Sequence, residues 1–186
     1  MRVRLALHEK GVAFATREED LANFSQTLRA LHPEAKVPVL VQGKLVLYES
    51  AIIIEYIEDA FPIPPPLMPK AAAARAEIRL LGYWCNQFFK LDIDRFKYGV
   101  SRFTSEECDG VEIRLQGHLG KLEARLSSSA WLVESEYSLA DILVFPFARQ
   151  LVRTKPRAAF LDEFPKFLEW IERISERPAF KKTIEK

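Results

Sequence analysis

Two cysteines and three histidines are where chemistry would first be sought in this 186-residue chain. Cys85 and Cys108 cannot alone build a disulfide framework or a metal site, and read as two free thiols of a reducing compartment. Cys85 sits among Tyr83, Trp84, Phe88 and Phe89, where a lone cysteine is either a nucleophile or, more simply, a small core residue. The thiol of Cys108 is flanked by Glu106, Glu107 and Asp109, whose charge disfavours the thiolate. His8, His32 and His118 are far apart, share no ligand spacing and read as surface residues; no metal site is predicted. Asp141 closes the run Ser138-Leu139-Ala140-Asp141, a capping box with Tyr137 and Ile142 placed as a hydrophobic staple, so its role is structural rather than catalytic. Two dipeptides complete the set. Taken singly, Val37-Pro38 is a turn, and Glu49-Ser50 before an apolar run is a helix N-terminus.

The elements that must carry these residues follow from periodicity. Residues 2–10 place Val3, Leu5, Ala6 and Leu7 among charged partners, as on an amphipathic helix, and Gly11 stands where a C-terminal glycine stops it. The segment 12–18 alternates enough to predict a strand with Phe14 inward. A short irregular helix is expected over 20–31. Two β-like runs, 37–41 and 45–48, flank Gln42-Gly43-Lys44 and predict a hairpin. Ser50 then opens a helix to about Phe61. The run Pro62-Ile63-Pro64-Pro65-Pro66-Leu67-Met68-Pro69 can be neither helix interior nor central strand, because proline lacks the N–H and fixes φ. Beyond it every pattern is helical: 70–91, 104–127, 138–153, 164–175 and 178–185. An α/β domain over 1–62, a proline-rich linker over 63–69 and an all-helical domain over 70–186 are therefore expected. Within the second unit, core packing accounts for most of the aromatic cluster, and Tyr83 or Phe88 is left to face a hydrophobic substrate pocket.

Composition narrows the class further. With 48% apolar and 28% charged residues the chain is an ordinary globular protein rather than a disordered one. A formal charge of +1 with no lysine or arginine block gives no electrostatic footprint for nucleic acid. No long apolar h-region and no membrane-length stretch is present, so a cytoplasmic protein with no membrane partner is expected.

The order helix–strand–helix–hairpin–helix, proline linker, helical domain resembles the glutathione transferase superfamily, and KVPVLVQGKLVLYESAIIIEYIEDAFP (residues 36–62) carries most of that resemblance. It implies a thioredoxin-like N-terminal domain and an all-α C-terminal domain. It also implies a site: Val37, ahead of a cis-Pro38, offers its N–H and C=O to the cysteinyl backbone of glutathione. Ser50 receives the γ-glutamyl carboxylate at a helix N-terminus, and Glu49 meets the γ-glutamyl ammonium. A Ser-x-x-Asp box such as 138–141 is a further mark of the superfamily. Within it, YESAIIIEYIEDAFPIPPPLMP is similar to bacterial proteins related to stringent starvation protein A, which bind RNA polymerase and generally do not act as transferases. The stretch FKLDIDRFKY (89–98) is similar instead to a bacterial group whose start resembles a glutaredoxin.

The resemblance implies glutathione as substrate, a small hydrophobic electrophile, and a homodimer built near the helix at 50–61 and the long helix after the linker. Conjugation or thiol exchange requires a group that stabilises the glutathione thiolate. Residues 1–5 resemble the interior of the family's first helix, so the strand and catalytic loop that precede it are not matched. Thr16 and Ser25 lie in the wrong places, Tyr48 is on a strand, and the catalytic residue stays unassigned. The missing strand would lie between 12–18 and 37–41. The expectation is that the natural chain begins upstream, or that the sheet is repacked or completed by another chain. The alternative to an enzyme is a non-catalytic binding protein on the same scaffold.

Overall fold

α1 (Arg2–Glu9) ends as its sequence dictates. Gly11 adopts φ +62°, its N–H reaches His8 O at 3.1 Å and that of Val12 reaches Leu7 O at 3.0 Å, which satisfies the last carbonyls of the helix. A computed structural model of the chain describes residues 1–20 and 22–185. Leu21, inside the segment expected to form irregular helix, and Lys186, at the end of the expected helical domain, lie outside the described residues. The helix in the first of those segments, α2, is confined to Gln26–Leu31 and capped by Ser25 Oγ, which accepts from Leu28 N–H.

β1 (Val39–Gln42) and β2 (Leu45–Tyr48) pair antiparallel with Val39 opposite Tyr48 and Gln42 opposite Leu45. Gly43 takes the positive φ, +59°, that this two-residue connection requires. α3 (Ser50–Ala60) buries Ile53, Ile54 and Ile57. The strand predicted over 12–18 does not form. Among the described residues the sheet has two strands, and a strand exists only as a member of a ladder. Residues 12–18 instead run as irregular chain, with Val12 and Phe14 half-buried against the core.

After the prolines the chain is helical, as its pattern requires. α4 (Ala72–Trp84) passes through one π-helical turn (Cys85–Phe89) into α5 (Lys90–Tyr98), so the long helix extends past Leu91. A short α6 (Ser105–Cys108), α7 (Val111–Ser128), α8 (Leu139–Val152), α9 (Pro165–Ser175) and α10 (Pro178–Ile184) follow. α8 is apolar on nearly every side because it is the centre of the helical layer, with Phe145 edge-on to Trp170 and Phe180. The capping box is formed: Asp141 Oδ2 accepts from Ser138 N–H at 2.9 Å and Ser138 Oγ from Ala140 N–H at 3.2 Å. Asp141 is also the acceptor of the buried Trp170 indole at 2.8 Å. Tyr137 and Ile142, the staple pair, are both buried.

Candidate functional site

The hairpin register sets the first half of the site. With Val39 opposite Tyr48, residues Val37 and Pro38 lie at the same end of the hairpin as Glu49 and Ser50. The Val37–Pro38 bond is cis, as expected. Val37 is 48% exposed, and its N–H and C=O take no hydrogen-bond partner among the described residues. Glu49 joins β2 to α3 with φ 67° and ψ 110°, a conformation in which its side chain makes no capping hydrogen bond. A non-glycine residue held there costs about 1–3 kcal/mol, a kind of strain that clusters at ligand sites. Its carboxylate is exposed and forms no ion pair among the described residues. Ser50 is the first residue of α3, half-buried, with the positive end of the helix dipole behind it.

The second half is a residue that sequence reasoning missed. Arg2, at the start of α1, is only 5% exposed. Its Nε donates to Leu143 O at 2.7 Å, Nη1 to Ser50 Oγ at 3.2 Å and to Asn86 Oδ1 at 2.8 Å, and Nη2 to Cys85 Sγ at 3.5 Å. The guanidinium lies 4.5 Å from the centre of the Phe147 ring. Burial lowers its pKa, with Cys85 and then Glu49 opposing that effect. One signal was available in the sequence: Arg2 stands three and four positions before the fully buried Leu5 and Ala6, on the same face of α1. The π-helical turn brings Cys85 and Asn86 to that side of the long helix, and such turns recur at functional sites.

Cys85 is a core residue in this arrangement. It is fully buried, donates to Leu143 O at 3.7 Å, and burial raises its thiol pKa to about 11, so it is poorly suited to act as a nucleophile. Cys108 is half-buried. Two of the three histidines are not surface residues. The His32 side chain packs 4.6 Å from the Tyr48 ring and accepts from Glu34 N–H at Nδ1, because a buried imidazole needs a partner for its polar edge. His118 lies against Trp84 and Phe89, with Nε2 3.1 Å from Asp92 Oδ2. The aromatic cluster divides: Trp84 and Phe89 stack inward at 5.1 Å, whereas Tyr83 and Phe88 are exposed and meet edge-on at 6.3 Å.

A two-stranded α/β unit carrying a cis-proline hairpin and a serine at the following helix N-terminus, joined to a helical unit, defines the class, and sequence comparison agrees. Residues 1–66 match the family model "Glutathione S-transferase, N-terminal domain" and residues 89–178 match "Glutathione S-transferase, C-terminal domain". The chain belongs to the glutathione transferase superfamily, with a thioredoxin-like N-terminal part and an all-helical C-terminal part. Among individual relatives, it is 29% identical to Glutathione S-transferase 3 of Glycine max, over 99% of this chain and 84% of the relative. It is 30% identical to a Stringent starvation protein A homolog of Coxiella burnetii, over 98% of this chain and 85% of the relative. The crystal structure of rice GST1 in complex with glutathione superposes with a TM-score of 0.87 at 26% identity, covering 99% of this chain and 84% of that one.

Proposed function

We propose that this protein binds glutathione through Val37, Pro38, Glu49 and Ser50 and uses the bound thiol to conjugate, or exchange with, a small hydrophobic electrophile. The observation that carries the binding site is the bond from Arg2 Nη1 to Ser50 Oγ. An arginine can only donate, so Ser50 Oγ is an acceptor there and its hydroxyl hydrogen is free to donate outward. A γ-glutamyl carboxylate would accept that hydrogen together with the first N–H groups of α3. Glu49, without an ion pair among the described residues, is the counterpart for the γ-glutamyl ammonium. The unpaired N–H and C=O of Val37 offer a short antiparallel pairing to the cysteinyl residue of the ligand. The division into a glutathione-binding domain (1–62), linker (63–69) and helical domain (70–186) goes with this reading, as does a cytoplasmic location.

Retention of the intact chain on immobilised glutathione, followed by turnover of 1-chloro-2,4-dinitrobenzene, tests both parts. Retention with turnover supports the transferase. A non-catalytic binding protein is the second reading, favoured by relatives of nearly equal similarity that include a Stringent starvation protein A homolog. Retention without turnover would select it, and loss of retention would remove the glutathione site from both.

A homodimer is part of the proposal. Ile52 of α3, Leu80 and Tyr83 of α4 and Ile113 of α7 are all more than half exposed. A largely apolar groove of about 1030 Å³ runs between α4 and α7, lined by Ala73, Ala76, Leu80, Trp84 and Leu122 among others. Exposed apolar side chains on α3, α4 and α7 are the surface such an interface would cover.

A further inference from the structure

Arg177, just ahead of α10, uses only part of its fork. Its Nε and Nη2 donate to the two carboxylate oxygens of Glu9 at 2.6 and 2.7 Å, and the guanidinium lies 3.9 Å from the centre of the Tyr137 ring. Of the five N–H groups of a guanidinium, the two on Nη1 and one on Nη2 have no acceptor among the described residues. The ion pair along one edge and the ring against one face hold the group in place, so the free N–H groups are oriented before any ligand arrives. Arg177 lines a cavity of about 360 Å³, within the size range of small-molecule sites. Its apolar wall is Pro65, Pro66 and Leu67 of the proline-rich segment with Trp131 and Val133 of the loop before α8. Glu134 and Glu136 line it too, are exposed, and form no ion pair among the described residues. Glu134 holds φ 55°, a backbone state that is costly with a Cβ and collects at ligand sites. The buried Tyr137 hydroxyl forms no hydrogen bond among the described residues, and burial, then the Glu9 and Asp141 charges, raise its pKa and keep it a donor.

These groups define the chemistry of an occupant. Glu9 already cancels the charge of Arg177, so with Glu134 and Glu136 the cavity is net negative and a simple anion is repelled. A simple cation would suit the two glutamates and leave the free N–H groups of Arg177 unmet. A molecule carrying both charges on an apolar body answers every group at once. We infer that this cavity is a binding site for a free α-amino acid with an apolar side chain. Its carboxylate takes the free N–H groups of Arg177, its ammonium faces Glu134 and Glu136, and its side chain lies against Pro65, Pro66 and Trp131. The site shares no residue with Val37, Pro38, Glu49 and Ser50 and does not depend on the glutathione reading.

The test is calorimetric titration of the full chain with L-leucine and with two truncated probes, 4-methylpentanoate, which lacks the amine, and 3-methylbutylamine, which lacks the carboxylate. Leucine should bind, and each probe should bind at least about tenfold more weakly, one charge-assisted contact being lost in each. Replacing both Glu134→Gln and Glu136→Gln should lower leucine affinity about tenfold and leave 4-methylpentanoate bound no more weakly than before. Both glutamates are exposed, so this variant keeps the fold. Arg177→Lys retains a cation for Glu9 but loses the fork, and should lower leucine affinity about tenfold while 3-methylbutylamine affinity stays within about twofold. If the lysine variant does not fold, the glutamine variant and the two probes still decide. No binding of leucine at millimolar concentration would overturn the inference. So would either probe binding as tightly as leucine, or an unchanged leucine affinity in either folded variant.

Discussion

Lys10 Nζ lies 2.7 Å from Glu58 Oε2, and the two side chains are 1% and 10% exposed. Lys10 also donates to Ile63 O at 2.7 Å, and Glu58 Oε1 accepts from Leu67 N–H at 3.0 Å. Leu67 O in turn accepts from Leu139 N–H at 2.8 Å, at the first residue of α8. One buried ion pair thus fastens the end of α1, the last turn of α3 and the proline-rich segment, and passes the connection on to the central helix.

Removing either partner should therefore be severe, and unequally so. Breaking a buried pair by losing one member costs about 3–5 kcal/mol. Lys10→Met leaves Glu58 still accepting from the linker amide. Glu58→Leu leaves the ammonium with carbonyl acceptors but no anion and frees the Leu67 N–H as well, so it should be the more destabilising by about 1–2 kcal/mol. Urea unfolding of both variants measures the order; a reversal would mean that the linker does not depend on Glu58.

Asp141 should give stability an unusual pH dependence. Burial raises its pKa to about 6, against four hydrogen bonds that favour the carboxylate. The native state therefore holds this proton more tightly than the unfolded chain, whose aspartate titrates near about 3.9. Between those two values the native state binds more protons, so this group's contribution to stability falls as pH rises from about 4 to about 6, by about 3 kcal/mol in all. Below that window the contribution is whole, and above it the loss is constant. Asp141→Asn should flatten this part of the stability–pH curve. An unchanged slope would assign the titration to other groups.

The contrast between Asp141 and Arg2 shows what the sequence does and does not carry. Asp141 is legible because its partners, Ser138 and the staple pair Tyr137 and Ile142, are within four residues. The Gly11 helix stop and the Gly43 turn are legible for the same local reason. Arg2 bonds to residues 48, 83, 84 and 141 positions away, so in the sequence it is one more charge on an amphipathic helix. His32 and His118 are misread as surface residues on the same account, since what buries them, Tyr48 and the Trp84–Phe89 stack, is distant along the chain or turned inward by the π-helical turn. The segment 12–18 has a strand's alternation, but alternation specifies a face and not a partner, and among the described residues no strand pairs with it. The hairpin and the start of α3 at Ser50 are legible because a glycine turn and a helix start have local signatures.

Cys85 should be silent toward alkylation in the folded protein. Its thiol is fully buried and its pKa is raised to about 11, first by desolvation. Cys108 is half-buried near the end of the short α6. Mass spectrometry after brief treatment with iodoacetamide should find label on Cys108 alone, with Cys85 labelled only in denaturant. Native labelling of Cys85 would contradict its place in the core.

Glu49 separates stability from binding. Its φ of 67° is one that glycine adopts freely and alanine does not. Glu49→Ala and Glu49→Gly remove the same carboxylate, so the difference between them isolates the backbone. Glycine should be the more stable of the two by about 1 kcal/mol, because an alanine confined to positive φ keeps the strain that a glycine relieves. Both variants should lose glutathione affinity to a similar degree, since both lose the anion proposed for the γ-glutamyl ammonium. Thermal melting reads the first comparison and calorimetry the second. If alanine proved as stable as glycine, the turn into α3 would be unstrained. If affinity survived in both, the ammonium would be met elsewhere and Glu49 would be there for the turn alone.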